Sequence, residues 1–189
     1  AALGLPTNCT GCSFSGRDLQ GADLSRVRFV GVDFSRANLR DANLRDANLT
    51  GVDFSRADLR GADFGGANLT GVDLIGAQLS GARFRGTNFT GADLHGDDLQ
   101  GLDFSLDGLE GVDFSGADLR RTDLHGARLC WRNEDGKIGC ADLRGADVRG
   151  ADLRGVLICR SSGGARNCEP VDTATLRRET RSNLDGAIL

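Results

Sequence analysis

The chain has 189 residues and a net charge of −4, with 23 basic and 27 acidic side chains. That near balance excludes the basic excess that marks nucleic-acid binders. No stretch approaches the roughly 18 apolar residues of a membrane span, so no membrane insertion is predicted, and the length suits one domain.

The first segment, residues 1–13, carries "NCTGC" with Cys9 and Cys12, and reads as a cap on whatever follows. The chain holds no Met and begins "AAL". A small residue at the start fits cleavage of a signal peptide, and export is the expectation.

From Phe14 to Leu129 a Leu or Phe recurs at every fifth position, which makes 24 consecutive repeats. Two residues before each centre lies a small apolar residue, mostly Ala or Val, one before it usually Asp or Asn, and two after it usually Gly. A period of five matches neither the helical 3.6 nor the strand 2. It suits one short side of a coil, with two apolar residues turned inward. "GVDFSRANLRDANLRDANLT" at 31–50 and "GVDFSRADLRGADFGGANLT" at 51–70 add a period of twenty. Four sides therefore close one turn, and stacked turns share backbone hydrogen bonds about 4.8 Å apart. One side has centres Phe14, Phe34, Phe54, Leu74, Leu94 and Phe114. The opposite side has Leu24, Leu44, Phe64, Phe84, Phe104 and Leu124. Large faces small across most coils, as dense packing requires, which assigns these Phe residues to the core.

These units resemble the pentapeptide repeat family. The resemblance covers 14–129 and resumes over 141–158, and it implies an all-β, right-handed quadrilateral β-helix of about seven coils. It also implies a protein that is not an enzyme, takes no cofactor and works by protein contacts. Members with an N-terminal C-x-x-C resemble the exported ones of the periplasm or thylakoid lumen. A second branch mimics DNA, protects gyrase and confers quinolone resistance, through strongly acidic cytoplasmic dimers.

Three places leave the pattern. Asp97, Leu102 and Asp107 occupy inward small-residue slots. Unpaired buried carboxylates are costly, so a bulge with these side chains turned outward is expected. Arg17 fills another such slot near the N-terminal end. Residues 130–140, "CWRNEDGKIGC", interrupt the count as a loop insertion before a last coil over 141–158. The tail, 159–189, is a second loop and a cap, with a short helix begun by Asp172 as N-cap.

The cysteines form three close pairs, Cys9/Cys12, Cys130/Cys140 and Cys159/Cys168. An even set at loops and ends reads as disulfides made in an oxidising compartment. Sequence-adjacent pairing is expected, with Cys130–Cys159 plus Cys140–Cys168 as the alternative. A shared zinc site would need four thiolates together, and six coils separate Cys12 from Cys130.

On one side Asp33, Asp53, Asp73, Asp93 and Asp113 form an acidic ladder, read as carboxylates serving the backbone rather than a cation. Another side alternates Asn48, Asn68 and Asn88 with Thr50, Thr70 and Thr90. These spell N-x-T, as does Asn8, but the repeat itself generates the motif. His95 and His125 lie on opposite sides with no nucleophile or metal ligand beside them by spacing, which argues against catalysis. The candidate contact is the 130–140 loop, with Trp131, Arg132, Glu134 and Asp135, because Trp is enriched in interface hot spots. The partner expected is an unidentified protein, and the protein itself a monomer or a dimer joined through its caps.

Overall fold

The computed structural model describes residues 4–105, 107–160 and 168–189. Within each unit the small residue's N–H turns back to the preceding centre's carbonyl, as in Ala37 N to Phe34 O at 3.0 Å and Ala57 N to Phe54 O at 2.9 Å. This turn makes the corner. The residue two beyond the centre takes a left-handed backbone there, φ 72° at Gly61, which glycine adopts without a Cβ clash. Arg26, Arg36, Asp41, Asp46, Arg56 and Arg121 hold the same conformation at φ 55–59°.

Between turns, residues twenty apart pair as parallel bridges, Asp33 to Asp53 to Asp73 to Asp93 to Asp113 on the first side. Most centres' N–H groups reach a carbonyl of the next coil, as Leu44 N reaches Asp63 O at 2.8 Å. The product is a right-handed quadrilateral β-helix. Its first side has centres Phe14 to Phe114 in steps of twenty and then Leu143. The second runs from Leu19 to Val148, the third from Leu24 to Leu153 and the fourth from Phe29 to Ile158. All of the described centres are buried. Phe14, Phe34 and Phe54 stack at 5.3 and 5.6 Å, and Phe64, Phe84 and Phe104 at 5.4 Å each. Phe54 meets Phe64 across the third coil edge-on, at 84° and 5.9 Å. The edge-on contact is how two aromatic rings fit where the other coils pair large with small.

Both ends are closed. At the first, β1 (Asn8–Thr10) lies parallel to β2 (Arg28–Val30), with Cys9 over Phe29. At the second, α1 (Thr173–Thr180) begins at Asp172, whose side chain accepts the Thr175 N–H at 2.8 Å, and buries Leu176. After it the repeat returns. "NLDGAIL" at 183–189 has the N-L-x-G-A spacing of the repeat, and the sequence reading missed it. Leu184 is buried, and Ile188 bridges Asp152 as part of an eighth turn.

Two expectations need correction. Asp97, Leu102 and Asp107 do not turn outward: they are 5%, 6% and 0% exposed. The carboxylates find backbone donors on the coil before, Asp97 Oδ1 from Gly76 N at 2.7 Å and Asp107 Oδ1 from Thr87 N at 3.0 Å. The strain falls on the seam instead of the side chains. Among the described residues no backbone hydrogen bond joins 76–86 to 95–105, and the Gln78–Asp98 and Arg83–Asp103 bridges are absent. Arg17, counted inward, is exposed; it lies in the outermost full coil, where its side chain reaches water past the end of the core.

Candidate contact surface

On the fourth side the chain runs past the corner in the last two coils. There β3 (Arg128–Arg132) pairs antiparallel with β4 (Ile138–Cys140), and β5 (Leu157–Arg160) with β6 (Cys168–Pro170). Because β3 also lies parallel to β5, the two hairpins form one four-stranded sheet, ordered β4-β3-β5-β6. The first loop thus has a structured twin that the sequence reading left separate. The loop between β5 and β6, residues 161–167, falls outside the described residues.

Disulfides pin both hairpins, Cys130–Cys140 with Cα atoms 4.0 Å apart and Cys159–Cys168 at 4.1 Å, and Cys9–Cys12 joins the first cap. A register shift after Arg128 sets Cys159 beside Trp131 rather than Cys130, which removes the alternative pairing. Closing loops of about ten residues contributes roughly 2–3 kcal/mol each in the chain-entropy model. Because coils are stabilised by their neighbours, the loss on reduction is local. Hydrogen exchange under a thiol reductant is expected to quicken in β3 to β6 while coils two and three keep their protection. Uniform quickening would show that the bridges hold the whole rod.

Trp131 is half-buried, and its ring lies across Gly139, the residue opposite it in the hairpin. A Cβ at Gly139 would come within 2.6 Å of that ring, so the glycine is what lets it lie flat. Arg132 forms an ion pair with Glu169 on β6 at 3.2 Å. Glu134 and Asp135 are exposed in the turn, where Asn133 Oδ1 accepts the Lys137 N–H at 2.8 Å.

The acidic ladder stands on the first side, apart from this sheet. Asp33, Asp53, Asp73, Asp93 and Asp113 each accept the N–H two residues on, at 2.8, 2.8, 2.9, 3.1 and 2.9 Å. The Ser35 hydroxyl and N–H hold the Asp33 carboxyl below its ordinary value. Among the described residues no group of three or more His, Cys, Asp or Glu is placed to hold a metal ion. The Asn–Thr side is likewise committed to itself: Thr50, Thr70 and Thr90 hydroxyls donate to Asn48, Asn68 and Asn88 at 2.6–2.7 Å.

Two features escaped the sequence reading. In four D-L-R triplets and one D-V-R, Asp58/Arg60, Asp118/Arg120, Asp142/Arg144, Asp152/Arg154 and Asp147/Arg149, the arginine folds back on the aspartate two residues before it. The Arg149 and Arg154 side chains hold Asp147 and Asp152 down to about 2. Side chains two apart on a strand share a face, so the triplets were readable as clasps. Second, His95 does have a hydroxyl neighbour, Ser115, one coil on, with Nδ1 to Oγ at 2.8 Å. The Ser115 hydroxyl donates to Asp113 at 2.6 Å, which leaves the imidazole as donor to the serine. A base that activates a serine must take that proton, with the carboxylate on its own far side. This order is the reverse.

No helix is long and apolar enough to cross a membrane, among the described residues. No curated protein is significantly similar to the chain in sequence. Among solved structures, a pentapeptide repeat protein, Rfr23, from the cyanobacterium Cyanothece 51142 is 25% identical over 64% of this chain and 93% of its own, with a TM-score of 0.56. QnrB1, a plasmid-mediated fluoroquinolone resistance protein, matches in its trypsin-treated form over 96% of this chain and 82% of its own. Its identity is 23% and its TM-score 0.61, a likeness of fold. The family model for pentapeptide repeats matches in 8 copies, over residues 7–46, 37–74, 47–86, 67–105 and 109–131. With the same five-residue unit forming every side of the observed coil, the chain belongs to the pentapeptide repeat family.

Proposed function

We propose that this is an exported, non-enzymatic interaction module whose contact surface is the four-stranded sheet β4-β3-β5-β6. One observation carries the reading: the two hairpins leave the repeat together and are each locked by a disulfide. A rigid, preorganised surface loses little entropy on binding, and Trp131 sits on it half-exposed beside the Arg132–Glu169 pair. Three disulfides and no free cysteine among the described residues favour an oxidising compartment, the periplasm or the thylakoid lumen. The partner is a protein. The test is cross-linked capture from the native compartment by the wild type and by Trp131→Ala. A hot-spot loss of about 2 kcal/mol, roughly thirtyfold in affinity, is expected. Undiminished capture by the variant would move the contact to the charged sides of the rod.

The gyrase-protecting reading is favoured by the fold shared with QnrB1, and the charges oppose it. Duplex DNA carries about one charge per 1.7 Å of axis, whereas one Asp ladder supplies about one per 4.8 Å. The adjoining second side holds Arg–Asp clasps in which the carboxylates are already paired. Micromolar protein is expected to leave gyrase supercoiling unchanged. Potent inhibition would replace the exported-module reading with this one.

A further inference from the structure

The fourth and fifth coils are joined on two sides and parted on the two between. Leu74 N reaches Asp93 O at 3.1 Å on the first side, and Phe89 N reaches Gly108 O at 2.8 Å on the fourth. On the second side the coils before are laced by Leu59 N to Gln78 O at 2.9 Å, Gly61 N to Ser80 O at 3.1 Å and Gln78 N to Ala57 O at 2.9 Å. The coils after are laced in the same way, by Leu99 N to Asp118 O at 2.9 Å, Gly101 N to Arg120 O at 3.0 Å and Asp118 N to Asp97 O at 2.9 Å. The corresponding bonds between Leu79 and Asp98, Gly81 and Gln100, and Asp98 and Ala77 are not made. Among the described residues those N–H and C=O groups have no other hydrogen-bond partner. Gln78, Ser80, Gly81, Asp98 and Gln100 are exposed, so the two bare β edges face each other across an open cleft and present donors and acceptors to whatever enters it.

The slots explain why the edges stay apart. Asp97 and Leu102 stand where most other coils have Ala. Asp97 Oδ1 takes the Gly76 N–H at 2.7 Å, a donor that at equivalent corners, such as Arg56 N to Ile75 O at 2.9 Å, bonds the next coil's carbonyl. The space between is a cleft of about 420 Å³, lined by Gln78, Leu79, Ser80, Asp98, Gln100 and Leu102. That lies within the roughly 300–1,000 Å³ of ligand pockets.

The wall of coil four offers the Leu79 and Gly81 N–H and the Ala77 C=O. The wall of coil five offers the Asp98 N–H and the Asp98 and Gln100 C=O. A ligand that meets both walls must carry donors and acceptors along both its edges at strand spacing, which is what an extended polypeptide does. The surrounding side chains set its charge. Gln78, Ser80 and Gln100 are neutral and Arg60 is held by Asp58, while the Asp98 carboxylate, which accepts from Gln100 Nε2 at 3.2 Å, is itself charged and disfavours an acidic segment. Leu102 supplies apolar surface at the cleft's base. We propose that the open seam on the second side, between coils four and five, binds a short, extended, uncharged peptide segment by adding it as a strand between the two edges.

The experiment uses the oxidised full chain and one probe, the capped hexapeptide Ala-Gln-Leu-Ser-Gly-Ala, which repeats the wall at 77–82. Saturable binding is expected by calorimetry, with exchange of the Leu79, Gly81 and Asp98 amides slowed at least tenfold while amides of coil two stay unchanged. The same peptide N-methylated at alternate residues keeps the side chains but lacks donors, and it is expected to lose at least tenfold in affinity. A variant with Asp97→Ala, Leu102→Ala and Asp107→Ala restores small residues to the slots, and it is expected to protect those amides without peptide and to refuse the probe. Absence of saturable binding, equal binding of the methylated peptide, or amides already protected in the unliganded wild type would each overturn the proposal. The methylation and wild-type exchange arms stand even where the triple variant does not fold.

Discussion

Leu44→Asp is expected to abolish the folded state. Leu44 is fully buried on the third side of the second coil, between Leu24 and Phe64 in the column of centres. A charged carboxylate at that centre points at the axis of a core two residues wide. Neighbouring N–H groups are already spent, Leu44 N on Asp63 O at 2.8 Å and Asp63 N on Ala42 O at 3.0 Å. An uncompensated buried charge costs more than about 4 kcal/mol, a large part of the roughly 5–15 kcal/mol that holds a domain together. Leu44→Ala, which only leaves a cavity, is expected to cost about 2–5 kcal/mol and still fold. Circular dichroism melts separate the two. A Leu44→Asp protein that stays soluble and melts cooperatively at the wild-type temperature would sink the account of the core.

Asp107→Ala is expected to stabilise the protein, and to do so more as the pH rises. Asp107 is fully buried, and one of its oxygens has no partner. Burial pushes its carboxyl up to about 8, against the Thr87 and Gly86 N–H groups that favour the charged form. Asp97 is pushed up to about 6, again chiefly by burial. Both folded values exceed the ordinary 3.8, so the folded state holds these protons more tightly than the unfolded chain does. The contribution is fully present below about pH 4 and is lost as the pH climbs through 6 for Asp97 and 8 for Asp107. The wild-type melting midpoint is therefore expected to fall between pH 5 and 9. Asp107→Ala is expected to flatten much of that fall and to gain on the order of 2–4 kcal/mol at pH 9, the relaxed cost of one buried charge. Asp107→Asn keeps an acceptor for Thr87 and is expected to lose the same pH dependence. A wild-type midpoint that does not move from pH 5 to 9 would refute the burial of a titrating carboxyl here. Below pH 4 the sign reverses. Asp147 and Asp152, held low by their arginines, contribute stability above that pH and lose it as their carboxylates protonate.

The two substitutions expose a difference between slots that look alike in a pattern of inward residues. A centre such as Leu44 faces only side chains. A small-residue slot such as that of Asp107 sits beside a corner, where the previous coil's N–H groups come within hydrogen-bond reach. The expectation that Asp97 and Asp107 turn outward followed from the cost of an unpaired charge. It omitted that a carboxyl can be neutral and can take a backbone donor across coils. The donor belongs to a residue about twenty positions earlier, so nothing local in "HGDDLQGLDFSLDG" announces it.

The sequence by itself determined the repeat, the four sides, the identity of every centre from Phe14 to Leu129 and the family. Each side of the coil is specified by five consecutive residues, and the same specification written 24 times leaves no other way to bury the apolar pairs. What depends on which coil lies next was decided only by the tertiary structure. Two loops merge into one sheet because β3 and β5 are neighbours across coils. Ser115 reaches His95 from one turn away. The fourth coil parts from the fifth because side chains at 97 and 102 must fit against residues twenty positions earlier. Those outcomes turn on hydrogen-bond geometry over a few ångströms between chain segments far apart in sequence, and a five-residue pattern carries no information about them.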